Sequence, residues 1–364
     1  MITVTDRREV IIVGGGQAGL AVGYFLAQQG RPFTILDAAS TPAAAWRARW
    51  DSLRLFTPVR YDSLPGRAFP GDPDAYPGRD DVVAYLIDYA RDCELPVELD
   101  SAVTAVRPCD DGYLVELDDR TYEAERVVIA TGPFQVPRVP ELAERLDPAV
   151  VQLHSTEYRR PQDVPAGPVL VVGGGNTGFQ IAEELARSHQ VHLSIGSRQT
   201  PLPQRILGRD LFRYLETTGL MGKTTASRIG QRLRDRDTLI GSSPRAARRR
   251  HGIRLCGRTV DASDSEVRFD DGTRLTPGAI IWATGFALDH SIVNVPVFDS
   301  DAGLVHRRGV TTSPGLYFVG LPWQHTRGSA LLGWVKDDAE HVAQHIAASR
   351  RVTRTPIPAL TVPR

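Results

Sequence analysis

With 364 residues, the chain is too long for one ordinary core and suits two domains of roughly 100–200 residues each. Its 43 basic and 43 acidic residues cancel to a formal net charge of 0, so the overall field gives no support to a nucleic-acid partner. Three scattered cysteines, Cys93, Cys109 and Cys256, form no CxxC pair, which argues against a disulfide framework, a zinc site and a dithiol redox centre.

The first apolar run, 10–26, does not read as a secretory leader. Asp6 and Glu9 flank Arg7 and Arg8, and the centre of the run is Gly14-Gly15-Gly16-Gln17, which suits a turn. No stretch of about 18 uninterrupted apolar residues occurs, so no membrane span is predicted and a cytoplasmic protein is expected.

Val10-Ile11-Ile12-Val13 is a continuous β-branched run of the kind found in a buried parallel strand. Gly14-x-Gly16-x-x-Gly19 follows and opens a helix predicted over 20–29. The three glycines act differently. Gly14 permits the tight turn, Gly16 lets the backbone approach a pyrophosphate, and Gly19 lets helix and strand pack closely. The phosphates then meet the helix N-terminus beside Gln17 and Ala18, where free N–H groups favour anions. A second strand is predicted over 33–36, and Asp37 ends it where a carboxylate accepts hydrogen bonds from a ribose. Trp46, Trp50, Arg54, Leu55 and Phe56 follow, placed either to wall a pocket or to pack a core. Strands over 113–117 and 126–129 lead to Ala130-Thr131-Gly132. The Pro-rich stretch 133–168, with His154 and Tyr158, reads as a linker.

The plan then repeats. Val169-Leu170-Val171-Val172 precedes Gly173-x-Gly175-x-x-Gly178, with Asn176 and Thr177 inside the motif. A helix over 179–188, strands over 191–195, 267–269 and 279–282, and a terminal Ala283-Thr284-Gly285 complete the echo. The stretch 284–314 reads as a second linker, and a strand over 316–320 with a helix over 330–349 reads as a return to the first unit. The expected fold is α/β, with two Rossmann-like dinucleotide-binding domains, the second inserted in the first: 1–165, 166–286 and the return segment 287–364.

The two motifs end differently. After 191–195 no acid appears, and Gly196, Ser197 and Arg198 stand in its place. A carboxylate repels a 2′-phosphate and a guanidinium binds it, so the second site is expected to take NADPH, with Arg205 near enough in sequence to share the charge. Arginines run on to Arg248-Arg249-Arg250, as a solvated face or as a field for a polyanionic coenzyme. Two adjacent dinucleotide folds imply hydride transfer between cofactors, and FAD in the first allows reaction with O2.

As a set, the two glycine motifs, the two Ala-Thr-Gly ends and Leu153-His154-Ser155-Thr156-Glu157-Tyr158 resemble the class B flavin monooxygenases. More closely, the chain resembles the short bacterial flavin-containing monooxygenases related to the plant YUCCA-type enzymes. Trp46, Ser52-Leu53-Arg54-Leu55-Phe56-Thr57, Phe69-Pro70, Tyr76-Pro77 and Tyr317-Phe318-Val319-Gly320 also carry the likeness. Within the family fingerprint His154 and Tyr158 match, whereas Pro148 and Val150 replace Phe and Gly; Ala44-Ala45 replaces the usual Gly-Gly. The resemblance implies FAD, NADPH, O2 and a small organic substrate, with oxygen transfer through a C4a-(hydro)peroxyflavin and His154 linking domain motion to NADP binding. The expected cofactor-binding residues are Gly14, Gly16, Gln17, Ala18, Gly19, Asp37, Ala45, Trp46, Leu53, Leu55, Val103, Ala130, Thr131, Gly132 and Gly320 for the first site. For the second they are Gly173, Gly175, Asn176, Thr177, Gly178, Ser197, Arg198, Ala283, Thr284 and Gly285. No metal and no general base are expected.

Two other readings stay open. A thioredoxin-reductase-like NADPH reductase has the same two folds, but the missing CxxC excludes its disulfide version, and Leu321-Pro322 follows Gly320 where that family has Asp. A non-catalytic flavin sensor holds cofactor without turnover. The sequence leaves N-, S- and Baeyer–Villiger oxygenation open, and with them the oligomeric state.

Overall fold

The computed structural model describes residues 4–234 and 238–349, so the last part of the return segment, 350–364, lies outside the described residues. The first sheet is built on strands β1 (Val4–Val13), β2 (Phe33–Leu36), β3 (Val97–Glu98), a hairpin of β4 (Val103–Cys109) and β5 (Gly112–Leu117), and β6 (Thr121–Ile129). The second uses β7 (Val151–His154), β8 (Pro168–Val172), β9 (Gln190–Ser194), β10 (Arg254–Cys256) and β11 (Ala279–Trp282). The chain then returns to the first sheet with β12 (Leu316–Phe318). The first sheet has a parallel core in the order β12-β6-β1-β2-β3, and the second is parallel throughout in the order β10-β9-β8-β11-β7. All strands of the second sheet fall in sequence between β6 and β12 of the first.

Parallel strands need cover on both faces, which explains their unbroken β-branched runs. Helices α1 (Gln17–Gln28) and α2 (Val335–Ala348) cover one face of the first sheet, where Leu20 and Leu26 share a cluster with Val342, Ile346, Ile12 and Ile35. The alternate residues Ile11, Val13, Val127 and Phe318 face Tyr113 and Val115 of the hairpin. In the second sheet, Val169, Val171 and Ile281 pack on Phe179 and Leu185 of the helix Asn176–Leu185, while Leu170 and Ile280 meet Val267 and Phe269.

Both motif helices begin three residues earlier than predicted, at Gln17 and Asn176, because Gly16 and Gly175 serve as their N-caps. Neither linker is plain coil. The first contains β7, the edge strand beside β11, so the second sheet begins at Val151 rather than after 165. The second contains Phe286–Ala287, paired with Val136–Pro137, and two short strands, His306–Arg307 and Val310–Thr311, that widen the first sheet. These strands run for only two to four residues, so no apolar period marks them.

An aromatic cluster fastens the segment between β9 and β10 to the first unit. Phe212, on a helix capped by the Asp210 carboxylate, stacks on Phe56 at 5.9 Å, and Trp334 stacks on Tyr61 at 5.5 Å. Beside Tyr61, Asp62 is 0 % exposed and accepts a 2.6 Å hydrogen bond from the Thr57 hydroxyl. Burial, with the nearby Asp210 charge adding to it, pushes its carboxyl up from 3.8 to about 8. Between those values the native state holds a proton that the unfolded chain has lost. The associated stability is therefore full below about pH 4 and falls by about 1.4 kcal/mol per unit as pH rises toward 8. Asp62→Asn is expected to flatten this slope in urea-unfolding midpoints measured from pH 5 to 8. Parallel curves for the two proteins would show that Asp62 is not the titrating group.

Candidate functional site

The two glycine turns share one geometry. Gly14 has φ +110°, and a β-carbon there would lie 2.5 Å from the Ala130 carbonyl oxygen. Gly173 has φ +132° and faces the Ala283 carbonyl in the same way. A β-carbon on Gly19 would overlap the Gly14 carbonyl, and one on Gly178 the Gly173 carbonyl. Those four positions exclude side chains because backbone meets backbone. Gly16 and Gly175 differ. Their φ values, −78° and −82°, suit any residue, and no protein atom lies within 4 Å of an added β-carbon. The protein leaves this space open on the surface of each turn. No side chain caps either helix, so the first-turn N–H groups face the same opening. This cradle fits a pyrophosphate twice over.

Beside the first cradle, Gly15 N–H donates to Asp37 Oδ2 at 2.6 Å and Ala39 N–H to Oδ1 at 2.9 Å, which fixes the carboxylate at the end of β2. Beside the second, the equivalent place is taken by Gln199: a β-carbon on Gly174 would meet its Nε2 at 2.6 Å. Gln199 Nε2 donates to the Ser197 carbonyl and hydroxyl at 3.2 and 3.1 Å. A neutral amide thus replaces the carboxylate. Arg198 is exposed, with no hydrogen bond or ion pair among the described residues. Arg258, unforeseen in the sequence, comes from the end of β10 and donates to the Gly196 carbonyl at 2.5 Å. Arg205 is not part of this pole. It donates to the Tyr76 hydroxyl at 3.4 Å and the Asp74 carbonyl at 3.3 Å.

The Ala-Thr-Gly ends lead into a shared crossing. Thr131 accepts from Gln135 Nε2 at 2.6 Å, and the Thr284 hydroxyl donates to the Arg138 carbonyl. Arg138 N–H in turn donates to the Gly285 carbonyl at 3.0 Å, and Phe286–Ala287 runs antiparallel to Val136–Pro137. His154 is buried at the end of β7. Thr156 N–H donates to its Nδ1 at 3.3 Å, so the proton assigned by this geometry sits on Nε2, 3.2 Å from the Gly285 carbonyl. Burial holds its pKa below 6.5 and keeps the ring neutral near pH 7. Phe286 meets the His154 ring edge-on, and the Arg49 guanidinium lies 4.5 Å from the Phe134 ring centre and 5.2 Å from that of Phe286. Burial and the neighbouring Arg159 lower Arg49 to about 10. Tyr158 is buried and donates to Glu184 Oε2 at 2.8 Å on the second motif's helix.

Trp46 donates through Nε1 to Gln17 Oε1 at 3.1 Å, which sets it over the first cradle, with exposed Ala45 beside it on the one-turn helix Ala44–Arg47. Leu55 packs against the cores of both units. Leu53 and Trp50 are buried with Tyr158 and Phe179, so Trp50 is a core residue rather than a pocket wall. Val103 opens β4 against the cluster that holds Leu36. Gly320, at φ +89°, lies against Ala18, where a β-carbon would stand 2.8 Å from the alanine methyl. Among the described residues, no group of three or more His, Cys, Asp or Glu is placed to hold a metal. No helix there is long and apolar enough to cross a membrane.

Residues 11–205 match the family model described as pyridine nucleotide-disulphide oxidoreductase. The chain is 40 % identical over 340 residues to the "Uncharacterized oxidoreductase CzcO-like" of Geobacillus kaustophilus, covering 93 % of this chain and 98 % of that one. It is 29 % identical over 389 residues to the indole-3-pyruvate monooxygenase YUCCA1 of Oryza sativa subsp. japonica, covering 94 % and 93 %. Among solved structures, the flavin-containing monooxygenase from Stenotrophomonas maltophilia superposes with a TM-score of 0.79 at 28 % identity, covering 94 % of this chain and 99 % of that one.

The open cradle gives a direct test. The β-carbon of Gly16→Val meets no protein atom within 4 Å and points into the first cradle. The variant is expected to keep the circular-dichroism spectrum of the parent, to melt at the temperature of the flavin-stripped parent, and to purify without yellow colour. A normally flavinated Gly16→Val protein would remove the pyrophosphate from this turn.

Proposed function

We propose that this chain, which belongs to the pyridine nucleotide-disulphide oxidoreductase family and within it to the class B flavin-dependent monooxygenases related to the YUCCA-type enzymes, is a cytoplasmic, FAD- and NADPH-using enzyme that inserts one oxygen atom of O2 into a small organic substrate. The observation that carries this reading is the pair of open glycine cradles at the strand ends of two sheets, joined by one crossing ribbon. In it, 1–165 and 287–364 hold FAD, and 166–286, with β7 added in front, is the inserted NADPH domain. The chemistry supplied by bound FAD is acceptance of hydride from NADPH and activation of O2, through the C4a-(hydro)peroxyflavin that the resemblance implies.

The chain's own residues bind and orient. The first-turn N–H groups of α1 hold the FAD pyrophosphate, Asp37 takes the ribose hydroxyls, and Trp46 covers the turn from Gln17. The second turn holds the NADPH pyrophosphate. Ser197, Arg198 and Arg258 surround the 2′-phosphate, and Gln199 replaces the carboxylate that would repel it. Neutral His154 ties the end of β7 to Gly285 beside the crossing ribbon. No residue is assigned as general base. Attack on an activated oxygen by an amine or sulfide lone pair needs none.

Two measurements test the proposal. Oxygenation under 18O2, screened against amines, sulfides and ketones with NADPH, is expected to yield a product carrying one labelled atom. NADPH oxidation that gives only peroxide or a reduced acceptor across the whole screen would favour a reductase. For coenzyme choice, hydrogen bonds to charged groups contribute about 1.5–3 kcal/mol, and about 1.4 kcal/mol is tenfold. Arg198→Ala and Arg258→Ala are each expected to raise KM for NADPH roughly ten- to a hundredfold and to leave NADH kinetics nearly unchanged. Equal effects on the two coenzymes would take the 2′-phosphate away from this pole.

A further inference from the structure

The loop that follows β12 crosses the N-terminus of α1 at Gly320, and so passes the edge of the sheet that carries the first cradle. It also reaches the second unit, where Thr225 N–H donates to the His325 carbonyl at 2.9 Å and Thr326 bridges to Thr224. Its backbone is pinned on both sides of Trp323. Gln324 is buried, donates to the Phe318 carbonyl at 2.8 Å and accepts from Leu321 N–H at 3.3 Å. Ser329 Oγ accepts from the N–H groups of His325 and Thr326, both at 3.0 Å. Trp323 is held at φ +56°, a left-handed conformation that a bulky residue adopts at a cost and that structures retain mostly at functional sites.

Arg327 stands on this rigid turn. It is half-buried, yet among the described residues it makes no side-chain hydrogen bond, ion pair or ring contact. Other half-buried arginines are matched: Arg308 by Asp338, Arg67 by Asp92, Arg31 by Glu9, and Arg49 by two phenyl rings. Burial alone lowers the Arg327 pKa, with no acidic or basic neighbour contributing. A cation partly withdrawn from water without a partner is unfavourable, and a planar guanidinium matches a carboxylate through two parallel N–H bonds. One isolated positive charge suits a single negative one.

We propose that Arg327 anchors a carboxylate on the substrate, so that the enzyme selects organic acids over their neutral counterparts; this rests on the oxygenase reading above. The test uses the purified oxidised holoenzyme and matched pairs: 3-(methylthio)propanoate with methyl propyl sulfide, and 4-oxopentanoate with 2-pentanone. Binding is read by calorimetry without turnover. At least one acid is expected to bind tenfold or more tightly than its neutral partner. Arg327→Gln is expected to weaken that acid about ten- to a hundredfold while moving the neutral partner less than twofold, and Arg327→Lys to restore part of the loss. The anchor is overturned if no acid in the panel binds, if Arg327→Gln weakens acid and neutral partner alike, or if it weakens only NADPH. Because binding is measured apart from oxygenation, an Arg327-dependent preference without labelled product would refute the oxygenase reading and leave the anchor standing. Labelled product with no effect of Arg327→Gln would do the reverse.

Discussion

Two missing β-carbons hold this architecture together. At Gly14 and Gly173 the chain leaves a strand, turns with positive φ, and passes a neighbouring strand end so closely that only hydrogen fits between. That approach draws the Ala130 and Ala283 carbonyls against the glycine turns. It therefore fixes where Thr131-Gly132 and Thr284-Gly285 leave their sheets, and the paired crossing follows directly from those exits. Gly19 and Gly178 repeat the constraint one turn later by seating each helix on the carbonyl of the glycine before it. The open spaces at Gly16 and Gly175 exist because the surrounding backbone is committed to these contacts.

Charge then distinguishes two sites that the backbone makes alike. At one, a carboxylate is locked by two backbone donors; at the other, an amide occupies the same position with two guanidinium groups nearby. Between them sits a histidine kept neutral by burial, donating rather than accepting at Gly285. A neutral donor there avoids placing a full charge beside the partly buried Arg49, which already lacks a carboxylate.

The local parts of this arrangement were legible in the sequence. A β-branched run, a glycine turn and the residue ending the next strand are contiguous, so both cradles, Asp37 and the substitution of Ser197-Arg198 for an acid could be read directly. The doubled Ala-Thr-Gly revealed the two-unit plan. What escaped was tertiary. Arg258 reaches Gly196 only because β10 lies beside β9, and nothing in 254–258 announces that neighbour. The strand β7 hid in a Pro-rich stretch because Val-Gln-Leu-His has no apolar alternation long enough to register. Trp50 could be read as a pocket wall or as core from its position after Asp37, and the structure settles it in the second unit's core. Arg327 carried no signal at all, since isolation is a property of surroundings.

The return of the chain to β12 and α2 orders the life of the molecule in time. The N-terminal helix α1 buries Leu20 and Leu26 against residues that leave the ribosome more than 300 positions later. The second unit, by contrast, closes its sheet from 151 to 282 without help from the C-terminus. The contacts of the second sheet can therefore form before the C-terminal helix is made, while α1 waits for part of its cover. Until then Leu20 and Leu26 lack the partners Val342 and Ile346, and the last helix is what completes their burial.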